Sequence, residues 1–306
     1  MEEAIIGSAE RDWESGVEQL ELSPAPARRT VVTALAEHTV HLDRGLAGAV
    51  LLGIATLYVI LAVGPLAGLF FYAPLHRVLS PAAVEEFRRT LALTLHASVL
   101  STGFAILLGL PTALCLARVP FRGKRVMNSL IELPIALPPL VMGVALILVW
   151  GRRGVLGHFL ADAGHPLSFT FPAVVIAQFV VSSPFLVRIA KAAIEQVPRS
   201  LEEAAWTLGY SRLATYRLVT LPLARSGILA GILTCWARAM GEFGATVLFA
   251  GSFPGRTQTA PLAIFSLMQS DVDTAVGLAL IMLLFSVFAF GVAQWGLLSR
   301  PSHVPE

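Results

Sequence analysis

Six long apolar stretches recur along the chain, separated by more polar segments. A helix needs about 20 predominantly apolar residues to cross the roughly 30 Å hydrocarbon layer of a bilayer. Each stretch is about that long, although proline interrupts two of them. The pattern therefore predicts an all-α integral membrane protein with six transmembrane helices, at roughly residues 46–72, 91–117, 133–150, 170–188, 226–251 and 274–298.

The distribution of lysine and arginine predicts the orientation. With the N-terminus inside, fifteen of the 22 basic residues fall in the tails and loops on the inner side, and six fall in the loops on the outer side. Cytoplasmic loops carry such an excess. We therefore expect both termini to be cytoplasmic, with an N-terminal tail at 1–45, a first transmembrane helix at 46–73 and a C-terminal tail at 299–306, in a multi-pass protein of the cell (inner or plasma) membrane.

Composition supports the membrane assignment and excludes several classes of protein. The chain is 56% hydrophobic and only 14% charged, whereas soluble domains carry about 25% charged residues. A net charge of +2 gives no reason to expect a nucleic-acid partner. The sequence has no phosphate-binding loop of the ATPase type and no His/Cys spacing typical of a metal site. We therefore expect no catalytic residue, no metal ligand and no cofactor bound by this chain, which is not expected to be an enzyme.

The loop at about 189–225 is too long and too regularly patterned for a simple connector. Ser200 and Glu203 have the spacing of a capping box that starts a helix, Gly209 stands where a left-handed C-cap is needed, and Ser211 can cap a second helix. The pattern predicts a helical hairpin. Either it inserts into a groove of a partner protein, or it lies on lipid headgroups with its arginines facing them.

The same loop resembles the EAA loop of bacterial and archaeal ABC importer permeases. Glu203-Ala204-Ala205, Gly209 after three residues, and Val219-Thr220-Leu221-Pro222 after nine more carry the resemblance. It implies a type I ABC importer transmembrane fold over 88–298 and docking of the loop on a separate ATPase subunit, present in two copies, which holds ATP and Mg. The implied ATPase-coupling residues are Glu203, Ala204, Ala205, Gly209, Leu221 and Pro222, although Glu203 could also simply complete the capping box.

Further stretches resemble the molybdate permease subgroup. They are residues 120–124, 133–139, 151–154, 237–246 and 255–264. Sulfate/thiosulfate permeases share much of this pattern, whereas Gly-Arg-Thr-Gln-Thr at 255–259 favours molybdate or tungstate. The resemblance implies a permease of an importer for one of these oxyanions. Its expected partners are a second copy of the chain, the lipid bilayer and an extracytoplasmic oxyanion-binding protein.

Few polar side chains within the predicted spans could contact a passing anion. Arg238 and Glu242 are four residues apart and within pairing distance on a helix. They form either part of an outer gate or an internal ion pair at a helix contact. Ser182-Ser183-Pro184 indicates either a pathway element or a proline kink. The pathway or gate candidates are Arg238, Glu242, Gln178, Ser182, Ser183 and Thr246.

The alternative from another functional class is a secondary anion transporter that works without ATP. Such carriers typically use acidic or histidine side chains within the membrane for ion coupling. Only Glu242 and His96 qualify in the predicted spans, and a carrier has no reason to keep the EAA spacing. The sequence therefore favours the ATP-driven importer.

Overall fold

The computed structural model describes residues 43–73 and 81–298, and every regular element in these ranges is a helix. The predicted tail at 299–306, and all but the last three residues of the tail at 1–45, lie outside the described residues. The chain divides into two compact units at the Gly68–Leu69 bond. Helix α1 (Asp43–Tyr72) holds the described part of the first unit, and its residues Gly48–Tyr72 are long and apolar enough to cross a membrane.

The second unit begins with a long interrupted helix. Helix α2 (Pro81–Phe104) continues through a π-helical turn, Ala105–Gly109, into α3 (Leu110–Arg118). The π turn ends two residues before Pro111, which has no N–H and whose ring crowds the carbonyl four residues earlier. The wider π turn accommodates the proline, so Val84–Arg118 remains one 35-residue apolar segment.

The predicted third span is not a straight helix. Helix α4 (Lys124–Ala136) and α5 (Pro139–Trp150) meet at an angle of 114°. The break falls at Leu137-Pro138, immediately before Pro139. Consecutive prolines remove two backbone donors and force the preceding residues out of the helical region. The expectation of one helix at 133–150 is therefore wrong.

The fourth span is a continuous helix. After α6 (Gly157–Asp162), helix α7 runs unbroken over Phe171–Glu195 with Pro184 inside it. The helix continues about seven residues past the predicted end at 188. Ser182-Ser183-Pro184 therefore does not interrupt the helix, and a contribution of these residues to the pathway stays a prediction.

The fifth span is bent at its start and broken near its end. Short helices α8 (Arg199–Thr207) and α9 (Arg212–Thr215), a second π turn (Tyr216–Thr220) and α10 (Leu221–Leu223) lead into α11 (Arg225–Met240) through a 75° bend. Helix α11 stops at Gly241, and α12 (Gly244–Phe249) starts three residues later. The expectation of one helix at 226–251 is therefore wrong.

Helices α13 (Ala260–Leu267) and α14 (Val272–Leu298) complete the unit. In the described residues, four helices are long and apolar enough to span a membrane, and the number rises to six if each of the two bent pairs counts as one span. Large apolar side chains stay exposed on these helices, among them Leu107, Leu148 and Phe288. Such a surface fits contact with lipid rather than water.

Small residues allow close helix contacts in the core. A Cβ placed on Gly227 of α11 would overlap Cβ of Ala193 on α7. A Cβ placed on Gly244 of α12 would lie 2.8 Å from Cβ of Pro139 on α5. Small residues let backbones approach in membrane helix bundles, where packing replaces the hydrophobic effect as the main attraction.

Candidate functional site

The segment from Arg199 to Leu223, which we call the EAA hairpin, carries the predicted coupling residues. Helix α8 ends in a reversal centred on Gly209, whose φ is +88°. The Tyr210 N–H donates to the Ala205 carbonyl at 3.1 Å and the Gly209 N–H donates to the Trp206 carbonyl at 3.0 Å, the bonding pattern of a Schellman C-cap. The Ser211 hydroxyl accepts a hydrogen bond from the Ala214 N–H at 3.3 Å. The predicted roles of Gly209 and Ser211 in the local structure are confirmed.

The predicted capping box is wrong. Helix α8 starts at Arg199 with Pro198 as its N-cap, and no side chain caps this end. The fixed φ of proline sets the start of the helix, so Ser200 already lies within the first turn. Glu203 is consequently exposed and has no capping role.

The outer face of the EAA hairpin is unusually apolar for an exposed surface. Of the predicted coupling residues, Glu203, Ala204, Gly209 and Pro222 are exposed, Leu221 is half-buried and Ala205 is buried. Large apolar side chains surround them on the exposed face, namely Leu201, Leu208, Tyr210 and Leu213, with Leu208 78% exposed at the tip. The Arg212 guanidinium lies over the Trp206 ring, 5.4 Å from its centroid. An exposed apolar patch rimmed by charge is typical of a protein interaction surface.

Beneath this face lies a polar cluster that the sequence interpretation missed. Nε of Arg118, at the end of α3, donates to Oε1 of Glu202 at 2.7 Å, and its Nη2 donates to the Val197 carbonyl at 2.8 Å. The Thr220 hydroxyl donates to the same Glu202 oxygen at 2.7 Å. We call these four residues the Arg118 cluster. The sequence signals this cluster only through a second acid, Glu202, next to Glu203. Arg118 lies 84 residues before Glu202, so sequence spacing does not connect the two.

The Arg238–Glu242 pair forms as predicted but in a different setting. Nη1 of Arg238 lies 2.7 Å from Oε2 of Glu242, close enough for an ion pair although not aligned as a hydrogen bond. Glu242 follows the end of α11, and its Oε1 accepts the Ala245 N–H of α12 at 2.8 Å. A carboxylate at a helix N-terminus is stabilised by the free N–H groups there. The pair therefore joins the two helices across the break.

The remaining pathway candidates lie mostly in the interior of the subunit. Gln178, Ser182 and Thr246 have no exposed surface, whereas Ser183 is partly exposed. The Ser182 hydroxyl accepts a hydrogen bond from Cys235 of α11 at 3.5 Å. The pathway candidates and the coupling residues belong to separate parts of the molecule, on the spanning helices and on the EAA hairpin respectively.

A family model defines the class of protein. The model described as "Binding-protein-dependent transport system inner membrane component" matches residues 105–295, more than half of the chain. The chain belongs to this family. It is thus a multi-pass inner-membrane permease subunit of an ABC transporter, and the predicted membrane location is confirmed.

Relatives of this permease include molybdenum and sulfate permeases. A molybdenum transport system permease protein of Mycobacterium tuberculosis is 42% identical over 192 residues, which cover 63% of this chain and 73% of the relative. A probable transport system permease protein of Clostridium pasteurianum is 34% identical over 234 residues, covering 76% and 81%. A probable sulfate permease of Mesostigma viride is 36% identical over 211 residues, covering 69% and 77%. The predicted resemblance to molybdate-type permeases is confirmed.

A solved structure confirms the fold. A chain of a bacterial ABC transporter involved in alginate import matches the permease with a TM-score of 0.68 at 18% identity, over 83% of this chain and 96% of the other. The predicted type I ABC importer transmembrane fold is therefore confirmed.

Proposed function

We propose that this permease forms the translocation pathway of an ATP-driven importer for molybdate or tungstate. A separate ATPase drives it by docking on the EAA hairpin. ATP and Mg belong to that ATPase, which is present in two copies. The exposed apolar face of the EAA hairpin, with Glu203 and Leu208 on it, is the observation that carries the coupling role.

The exposed apolar surface of the hairpin supports docking on a partner protein. Leucines at 201, 208 and 213 are each at least 45% exposed, although the segment is folded and both the end of α8 and the start of α9 are capped. Burying apolar area contributes roughly 25 cal/mol per Å², so an apolar groove on a partner would stabilise this face. Glu203, exposed and uninvolved in capping, is available to a cation of that partner.

The choice of substrate rests on the relatives. Identity of 42% to a molybdenum permease supports molybdate or tungstate. The 36% identity to a sulfate permease keeps sulfate as the second candidate. Membership of a binding-protein-dependent family supports an extracytoplasmic binding protein that supplies the selectivity.

The proposed arrangement is a homodimer with both termini and the EAA hairpin in the cytoplasm. The exposed apolar helices and the few polar side chains of one subunit favour a pathway between two copies. Among the pathway candidates, Arg238 and Ser183 keep exposed surface, with 28% of the Arg238 side chain exposed, whereas Gln178, Ser182 and Thr246 are buried in this conformation. Arg238 is the charged residue of the two and therefore the stronger candidate for contact with an anion. Glu242 then acts mainly by holding Arg238 in place.

Copurification with the ATPase tests the docking role. We expect wild type to retain the ATPase and Glu203→Lys to lose most of it, because the substitution reverses a charge on the docking face. Glu195→Lys is the matched control, since Glu195 is an exposed acid at the end of α7, outside the hairpin. Equal loss in both variants, or retention in both, would refute docking through Glu203.

Uptake into proteoliposomes that contain the complete transporter and the binding protein tests the substrate. We expect ATP-dependent accumulation of molybdate that tungstate inhibits and an equal concentration of sulfate does not. Uptake of sulfate without molybdate would make sulfate the substrate and leave the ATP-driven mechanism intact. Uptake on an ion gradient without ATP would overturn the mechanism itself.

A further inference from the structure

The Arg118 cluster connects the EAA hairpin to a spanning helix with which the hairpin has no short covalent link. The hairpin follows α7 and leads into α11, so movement of the hairpin reaches these two helices through the chain itself. Helix α3 ends at Arg118, 84 residues before Glu202. Within the hairpin, α8 packs mainly against α9 and the π turn that follows it. The contact between Arg118 and Glu202 therefore adds a third helix to those that the hairpin can move.

Burial makes this connection stiff. The side chains of Arg118 and Glu202 are 4% and 3% exposed, and Thr220 has no exposed surface. One carboxylate oxygen receives donors from α3 and from the π turn, while the same guanidinium holds the Val197 carbonyl between α7 and α8. Separating buried charges leaves each of them without water or a partner. The elements joined by the cluster are thus expected to move together rather than slide past one another.

We propose that Arg118 and Glu202 are positioning residues that transmit displacement of the EAA hairpin to α3 and thereby couple ATP hydrolysis to opening of the pathway. The proposal rests on the proposed function, since it assumes that an ATPase moves the hairpin. It assigns different tasks to adjacent acids. Glu203 faces the ATPase, and Glu202 faces inward and holds the spanning helices. Thr220 supports Glu202 by its hydroxyl.

The test compares Glu202→Gln with Glu203→Gln in the assembled transporter in proteoliposomes. Three quantities are measured for each: the ATPase retained on purification, the rate of ATP hydrolysis, and the molybdate taken up per ATP hydrolysed. For Glu202→Gln we expect normal ATPase retention and continued hydrolysis, with uptake per ATP reduced about threefold or more, a size typical of residues that carry coupling between sites. For Glu203→Gln we expect the loss to appear in ATPase retention.

A second pair of variants covers the case in which Glu202→Gln does not fold. Thr220→Val replaces the hydroxyl by a methyl group at nearly constant volume, and Thr220→Ser keeps the hydroxyl. We expect Thr220→Val to lower uptake per ATP and Thr220→Ser to preserve it, which a general packing role for the threonine methyl group would not produce.

The possible failures are distinguishable. If wild type neither retains an ATPase nor transports with ATP, the proposed function fails and the positioning role fails with it. If wild type transports normally but Glu202→Gln and Thr220→Val keep the wild-type uptake per ATP, only the positioning role is refuted. A parallel fall of retention, hydrolysis and uptake in these variants would also refute it, because that result describes a hairpin that is merely misfolded.

Discussion

Removing Arg238 should destabilise the permease more than removing the charge of its partner Glu242. The reason is the unequal burial of the two side chains. Glu242 is 1% exposed and Arg238 is 28% exposed. Without Arg238, a carboxylate is left in the interior with no cation. When Glu242 is replaced by Gln instead, the guanidinium that remains is partly exposed rather than buried, and the amide oxygen can still accept the Ala245 N–H.

The structure gives the approximate size of each effect. Breaking a buried ion pair by deleting one partner costs about 3–5 kcal/mol, and the partial exposure of Arg238 places Arg238→Ala near 3 kcal/mol. Glu242→Gln should cost about 1–2 kcal/mol, because a charged contact is lost but no buried charge is stranded. The double variant Arg238→Ala/Glu242→Gln should regain about 1–2 kcal/mol relative to Arg238→Ala.

Thermal unfolding in detergent measures this order. A thiol-reactive fluorescent dye reports unfolding through Cys235, which is fully buried, in a background where the partly buried Cys115 is replaced by alanine. We expect Arg238→Ala to have the lowest midpoint, with Glu242→Gln and the double variant both above it. Arg88→Ala is the control, because it breaks a contact between exposed side chains with Glu85 and should leave the midpoint unchanged.

Two results would refute the argument. A double variant that unfolds below Arg238→Ala would show that no stranded charge limits the single variant. Glu242→Gln unfolding below Arg238→Ala would show that the carboxylate acts chiefly through something other than this pair.

Three further substitutions test local features of the fold. Gly227→Ala should cost about 1–3 kcal/mol by overpacking the crossing of α7 and α11. Adding Ala193→Gly to this variant should recover part of the lost stability, measured by thermal unfolding, and the absence of recovery would contradict the close crossing. Gly103→Ala is the control and should lose no stability, because the space beside Gly103 is open. Gly209→Ala should strain the left-handed turn by about 1–2 kcal/mol and weaken ATPase retention more than Gly209→Asn; the opposite order would mean that the turn is not left-handed. Ser211→Ala should cost about 0.5–2 kcal/mol and speed amide exchange at the start of α9, and unchanged exchange would argue against the cap.

Sequence spacing predicted the features that depend on neighbours along the chain. The six apolar segments, the left-handed Gly209, the cap at Ser211 and the i,i+4 pairing of Arg238 with Glu242 all follow from rules that act over a few residues. The prolines within the apolar segments were also visible in the sequence, but the sequence analysis did not predict which of them break a helix. The same residue type ends α4 at a 114° bend before Pro139 and leaves α7 continuous through Pro184. Two consecutive prolines, Pro138 and Pro139, break the first helix, whereas the single Pro184 is accommodated within the second.

Only the tertiary structure showed that Glu202 is buried whereas its neighbour Glu203 is exposed. Both acids are one residue apart on α8, and local rules assigned a cap to Glu203 and no role to Glu202. The partner of Glu202 is Arg118, which is brought close by the packing of α3 against α7 and of the hairpin beneath them. The burial of Gln178, Ser182 and Thr246 was equally beyond the sequence. Periodicity shows which residues share a helix face, but which faces meet depends on contacts between segments far apart in the chain.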